Sequence, residues 1–377
     1  MKVVVAIDSL KGSLSSVEAG GAIADGIRRV DKNAIVYVRP LADGGEGTVE
    51  ALVDGMGGRY QTVTVCGPLG ESIDCEYGII EETRTAIIEM SSAAGITLVA
   101  TEQRNPLHTT TYGVGQMIKD AIEKGCRRFL IGIGGSATND CGIGMLQALG
   151  YHFLDAKGNQ VSFGAKGVSE IVEISDKYVI PELSECSFQI ACDVTNPLCG
   201  DQGCSAIYGP QKGATQEMVF DMDQWIREFA ALAKRKYPQA DETIPGTGAA
   251  GGLGFAFLTF TNAVLESGIQ IVLRETKLEQ FIEAADLVIT GEGRLDGQTA
   301  MGKAPIGVAR LAKKHGKKVI AFAGCVTKEA VECNQEGIDA FFPILRSVTT
   351  LEEAMKKENA RENMMDTVEQ VIRLITC

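Results

Sequence analysis

The sequence predicts an α/β protein of two domains: a parallel-sheet domain and a second, mixed α/β domain inserted into it. Three observations carry this. At 377 residues the chain is too long for one average core. It holds 44 glycines and only 6% aromatic residues, a composition typical of α/β layers joined by tight loops. Apolar runs alternate with helical periodicity at both ends of the chain, and the middle follows a different pattern.

The opening "KVVVAID" is a short apolar run and reads as a buried strand. A helical stretch over 15–29 follows, then "AIVYVRPLADGG", a second strand that ends in a polar loop. In the last third, "ADLVITGEG" reads as a strand, 303–315 as a helix and "KKVIAFAG" as a strand. A short helix, "AFFPIL" and a last helix from about Leu351 complete the chain. Such alternation implies a parallel sheet with right-handed crossovers. Between these ends, "RYQTVTVCGPLGESIDCEYGIIEETRTAIIEM" alternates in short strands with turn signals and predicts hairpins, whereas "SFQIACDVTNPLCG" is irregular. The expected division is 1–59 plus 266–377 for the first domain and 60–265 for the inserted one, with the active site in the cleft between them. "RRFLIGIGG" and the helix before it fit either sheet.

Charge and composition exclude several classes. The formal charge is −13, from 36 basic and 49 acidic residues, with no basic run and no aromatic–basic interleaving, so no nucleic-acid partner is expected. No stretch of about 18 apolar residues occurs, and the N-terminal run is too short for a signal peptide, so neither a membrane nor a secretory route is expected. The 11 cysteines form no C-x-x-C pair and read as free thiols in a reducing cytoplasm. With only 3 histidines, catalysis is expected to run on carboxylates and lysines. His315 sits at a helix C-terminus, where a cation suits the dipole.

"IGIGGSATNDCGIG" is the most conspicuous loop. Gly132, Gly134 and Ala137 make a formal G-x-G-x-x-A after a strand, and Asp155 follows Gly134 by 21 residues, near the spacing of a ribose-binding carboxylate. The side chains argue otherwise. Ser136, Thr138, Asn139 and Asp140 stand where a pyrophosphate wants bare backbone, and they suit a polar substrate or hydrated Mg²⁺ beside phosphate oxygens. One of them would serve as a helix cap; four in five positions is more than capping needs.

Other loops add candidates. "GTGAAGG", with Gly248, offers backbone N–H groups to an anion or simply leads into a helix. "GQTAMGKA" matches the P-loop spacing but has Ala304 where Mg²⁺ needs a hydroxyl, so it is no Walker A; Lys303 can still meet a phosphate. "ITGEGRLDGQT" concentrates Glu292, Arg294, Asp296 and Thr299 at a strand's C-terminal end, and Arg294 offers bidentate geometry to a carboxylate or phosphate. "IDSLKGS" and "PLADGGEGT" bring Asp8, Lys11, Ser13, Asp43, Gly44, Gly45 and Glu46 to one sheet edge. "CDVTNPL" contributes Asp193, Thr195 and Asn196, and "GPQKGA" contributes Lys212. Together they form the carboxylate, lysine and glycine set that metal-assisted phosphoryl transfer requires.

Taken in order, "DSLKGSLS", "PLADGGEGT", "GIGGSATND", "CDVTNPLCG", "GPQKGA", "PGTGAAGGLGF", "TGEGRLDGQT" and "GKAPIGVA" closely resemble the type-I glycerate kinase family, over essentially the whole chain. The resemblance implies a two-domain protein, one domain Rossmann-like, that phosphorylates D-glycerate with ATP. Bacterial members imply 2-phosphoglycerate as product. Arg294, with Lys11, is the candidate for the glycerate carboxylate. Asp43 and Asp193 share the base and Mg²⁺ roles, with Asp140 a further metal candidate. Lys212 and Lys303 are candidates for the ATP phosphates. Asp8, Ser13, Gly44, Gly45, Gly134, Gly135, Ser136, Thr138, Asn139, Asn196, Gly248, Glu292, Asp296 and Thr299 complete the expected substrate and phosphate surround. Cys141 departs from the family pattern, where glycine is expected, and would be strained at positive φ. A homodimer is compatible with the resemblance. The competing readings are 3-phosphoglycerate as product, an NAD-dependent hydroxy-acid oxidoreductase, and a non-enzymatic sensor of small anionic metabolites.

Overall fold

Ser15 ends the first loop by capping the helix Ser16–Val30. Its Oγ accepts from the Glu18 N–H at 3.3 Å, and its own N–H donates to Glu18 Oε2 at 3.1 Å. Arg28 and Arg29 close the last turn, where the dipole favours cations. In this computed structural model every residue except Asp43 and Glu46 is described. The chain falls into two compact units: Met1–Asp43 with Glu50–Gly57 and Ile269–Cys377, and Gly44–Val49 with Gly58–Gly268.

The first unit carries a five-stranded sheet in the order Ala340–Pro343, Lys318–Val326, Leu287–Leu295, Lys2–Val5, Ile35–Val38. All of its pairings are parallel, as the β/α alternation predicts. Lys2–Val5 is the pivot. From it the chain moves one way to Ile35–Val38 and, much later, the other way to Leu287–Leu295. Open α/β sheets bind ligands at such a reversal, beyond the strands' C-terminal ends. The helices Ser16–Val30 and Lys357–Ile375 pack together, and Ile23, Ile27, Met364 and Val368 join Val3, Val5, Ile289 and Phe322 in one core. A Cβ at Gly26 would stand 2.7 Å from the Met365 carbonyl, so this helix contact requires glycine.

The second unit is built on a six-stranded sheet, ordered Ala263–Glu266, Ser187–Ala191, Arg128–Gly132, Thr85–Glu89, Ser72–Ile80, Arg59–Cys66. The first four strands are parallel, and the last two form the expected antiparallel hairpin. "RRFLI" therefore belongs to this sheet, not the first. Its core is aromatic, with Phe129 stacked on Phe188 at 4.8 Å and Phe229, Phe257 and Phe260 beside them. Gly44–Val49 groups here as well, although its sequence follows the second strand of the first unit. The Val49 N–H donates to Glu89 at 2.8 Å, and a Cβ at Gly44 would lie 2.7 Å from that of Ala191.

One glycine permits the pairing of Leu287–Leu295 with Lys318–Val326. Gly291 has φ +152°, and a Cβ there would stand 1.8 Å from the Phe322 carbonyl oxygen on the neighbouring strand. Gly291→Ala should cost about 3 kcal/mol or more, measured by urea unfolding; a loss under about 1 kcal/mol would show that the strand pair tolerates the shift.

Candidate active site

The loop leaving Lys2–Val5 stays on the sheet. The Asp8 N–H donates to the Gly291 carbonyl at 2.9 Å, and Ser9 N–H caps Asp8 Oδ1 at 2.7 Å. A tight reversal follows, closed by reciprocal Leu10–Leu14 backbone bonds of 2.9 and 3.1 Å, with Gly12 at φ +78°. This turn carries Lys11 and Ser13 to a cavity of about 340 Å³ at the strand reversal. Ser13 Oγ is buried there with no hydrogen-bond partner among the described residues.

The strand Leu287–Leu295 supplies the facing side, with Glu292 and Arg294 on the cavity. Thr299, fully buried, donates from Oγ1 to Glu292 at 2.5 Å and accepts from the Asp296 N–H at 3.1 Å. Asp296 caps the turn Gly297–Ala300 through the N–H groups of Gln298 and Thr299. Its other oxygen lies 3.4 Å from Arg294 Nε, a pair whose arginine is 63% exposed and therefore weakly held. Lys303 stands at the N-cap of Ala304–Lys314, extended and followed by Pro305, and also faces the cavity. Asp8, Lys11, Ser13, Glu292, Arg294, Asp296 and Lys303 thus share one space, and Thr299 stands behind Glu292 as its positioning group.

The second unit gathers a different set. Lys212 is 2% exposed and spends its ammonium on Ser136 Oγ (2.8 Å) and the Thr138 carbonyl (2.6 Å), so it anchors the "SATND" loop. Burial pulls its pKa down to about 8. Asp140, completely buried, accepts from Thr111 N–H and Oγ1, Gly142 N–H and Gly144 N–H. These bonds occupy a carboxylate's acceptor capacity. The expectation of Asp140 as a metal ligand is therefore corrected: this side chain ties the loop to the start of a helix. Asn139 donates to Ser205 Oγ at 2.9 Å; its own Oδ1, like Thr138 Oγ1, is buried without a hydrogen-bond partner among the described residues. Cys141 adopts φ +52°, the strained conformation anticipated for a residue replacing glycine.

The glycines of this unit serve close backbone approach. A Cβ at Gly132 would meet the Gly44 carbonyl at 2.5 Å, and one at Gly134 would lie 3.3 Å from Gly45 Cα; Gly135 turns at φ +73°. Asn196 and Gly248 hold each other, with the Gly248 N–H donating to the Asn196 carbonyl at 3.0 Å. The Asn196 side chain is bound to Tyr208 and Gln202. In "GTGAAGG", Ala250, Gly251 and Gly252 are all left-handed, and Gly251 O accepts the Cys141 N–H at 2.9 Å, so this segment seats on the "SATND" loop. Asp193 is exposed and accepts the Gly268 N–H at 3.2 Å. Asp43 lies outside the described residues.

The dinucleotide match fails on context. Its strand sits in the sheet without a reversal among its parallel strands, and the next helix begins only at Ile143. Asp155 follows a strand of a separate two-stranded sheet and caps its own turn. Sequence reasoning also missed the apolar wall of the cavity: Ile344, Leu345, Leu351, Ala354, Met355 and Ala360. Their spacing reads as ordinary helix core, and nothing in it marks the break at Lys356 (ψ 130°) that turns Leu351–Met355 aside from Lys357–Ile375.

The glycerate kinase family profile matches residues 3–376. The chain belongs to the glycerate kinase family. This family member is 46% identical over 375 residues to the glycerate kinase of Haemophilus influenzae, an alignment covering 100% of this chain and 99% of that one. It is 46% identical over 356 residues to the glycerate 2-kinase of Escherichia coli, covering 94% and 93%. A crystal structure from Salmonella typhimurium LT2 carrying the glycerate kinase 2 name superposes with a TM-score of 0.91 at 45% identity, covering 100% of this chain and 98% of that one. The chain is thus a kinase, which sets aside the oxidoreductase and sensor readings.

Lys212 gives a test of the buried loop. Its folded pKa lies below its ordinary value of 10.5, so burying the charge penalises the fold fully below about pH 8. The penalty lifts as pH rises from there toward 10.5. Lys212→Met should lose about 2 kcal/mol at neutral pH through the two stranded acceptors. The wild type's margin over the variant should then widen between pH 8 and 10 in urea unfolding. An unchanged or shrinking margin would mean the ammonium is not desolvated.

Proposed function

We propose that the chain transfers the γ-phosphoryl group of ATP to the C2 hydroxyl of D-glycerate, giving 2-phosphoglycerate and ADP. The observation that carries this reading is the convergence of Lys11, Arg294 and Lys303 with Asp8 and Glu292 at the strand reversal. The name of the Escherichia coli relative, glycerate 2-kinase, supports the choice of hydroxyl.

Phosphoryl transfer asks a protein mainly for positioning and charge. Arg294, with Lys11, binds the glycerate carboxylate, since the guanidinium fork matches its two oxygens. Lys303 meets the phosphates. A carboxylate accepts the proton of the attacking hydroxyl, and Asp43 and Asp193 are the pair proposed for that role and for Mg²⁺. Among the described residues no three His, Cys, Asp or Glu side chains cluster as a metal cage. Mg²⁺ is ordinarily held by one or two carboxylates together with water and phosphate oxygens, and the exposed carboxylate of Asp193 fits that donor set. When bound, the ion neutralises charge on the phosphate oxygens. Asp140 and Lys212 support the "SATND" loop from within the second unit.

A cytoplasmic setting follows from the same reading: the cysteines are all unpaired, as in a reducing compartment. Among the described residues no helix is long and apolar enough to cross a membrane.

Phosphorus NMR of the protein with MgATP and D-glycerate should show 2-phosphoglycerate growing in, with L-glycerate and tartronate as controls. A 3-phosphoglycerate signal would move the attack to the other hydroxyl, and ADP without a phosphorylated acid would refute the substrate. Arg294→Ala should raise the KM for glycerate by roughly 10- to 100-fold. Asp193→Asn should lower kcat by about 10²- to 10⁴-fold; turnover within about tenfold of wild type would remove Asp193 from the base role.

A further inference from the structure

The cavity at the strand reversal is larger and more apolar than a small hydroxy acid requires. Its volume is about 340 Å³. At roughly 30 Å³ per water in the liquid, an acid the size of about four waters leaves most of it over. The remainder is shaped. Gly293 and Gly324 both line it, and they lie back to back: a Cβ at Gly324 would stand 2.6 Å from the Gly293 carbonyl. That stretch of wall is bare backbone. Ile344, held by its N–H to the Ala323 carbonyl at 2.8 Å, adds a buried apolar surface.

The mouth is lined by large side chains left in water. Leu351 is 78% exposed, Leu345 39% and Met355 37%, although all three line the cavity. The Met355 methyl reaches over the reversal, 2.8 Å from where a Cβ on Gly12 would be. Apolar side chains gathered at the rim of a cleft that cations also line fit a ligand that is apolar at one end and anionic at the other.

We propose that the apolar lining of this cavity, Leu351, Met355 and Ile344 with the bare Gly293–Gly324 wall, holds the purine base of the nucleotide. The phosphate chain then runs toward Lys303 on the same cavity. The assignment rests on the kinase reading above.

Leu351→Ser with Met355→Ala tests it in the full chain, since both side chains are partly in water and hold little of the core. Titration calorimetry with ATP and with inorganic tripolyphosphate separates base from phosphate recognition. The double variant should bind ATP about tenfold more weakly or worse. Tripolyphosphate affinity and the KM for glycerate should stay within about twofold. Unchanged ATP affinity would overturn the base slot, and so would an equal loss for ATP and tripolyphosphate. A wild type that turns over ATP while the variant keeps its affinity sinks the slot alone. A wild type that consumes no ATP sinks the kinase reading as well.

Discussion

The cavity depends on one pairing between strands far apart in the chain. Val4 lies beside Val288 in parallel register, and the ladder continues past the first strand through the Asp8 N–H to the Gly291 carbonyl. Because both strands point the same way, their C-terminal loops leave from one edge. The Lys11 turn therefore emerges beside Glu292 and Arg294. On its other side the strand Leu287–Leu295 pairs with Lys318–Val326, and there the Phe322 carbonyl occupies the volume that a side chain at Gly291 would need.

The second unit organises its polar residues by the opposite rule. At the strand reversal, Lys11 and Arg294 are exposed and line the cavity. Around "SATND", Lys212, Asn139 and Asp140 are buried, and the charge or dipole of each is met largely by its own neighbours. A lysine or aspartate can serve either purpose. What separates the two is desolvation, which makes an unpaired interior charge far costlier than an exposed one. The three left-handed residues at 250–252 and the strained Cys141 belong to the same arrangement, since two loops approach there more closely than ordinary backbone permits.

Membership in the glycerate kinase family without a Walker A loop is physically reasonable. Phosphoryl transfer needs cations, a metal-binding carboxylate and alignment, and no single motif is obliged to supply them. The cations that line the cavity come from a reversed turn, a strand end and a helix N-cap, three separate places in the sequence brought to one edge.

Much of this was legible beforehand. The apolar runs of "KVVVAID" and "KKVIAFAG" can only be buried strands, and their alternation with helical periodicity forces a parallel sheet. The hairpin after Arg59 announced itself by its turn residues, and the eight collinear motifs pointed to the family. What the residues could not disclose was burial. "GIGGSATND" and "GRLDGQT" read alike as polar, glycine-rich loops, yet one turns its carboxylate and amide inward and the other opens onto a cavity. Nor could periodicity show that Leu351 and Met355 line that cavity instead of filling a core. Local propensity and periodicity are written into neighbouring residues; which loop faces solvent depends on contacts between segments nearly 300 positions apart, and only the folded chain decides those.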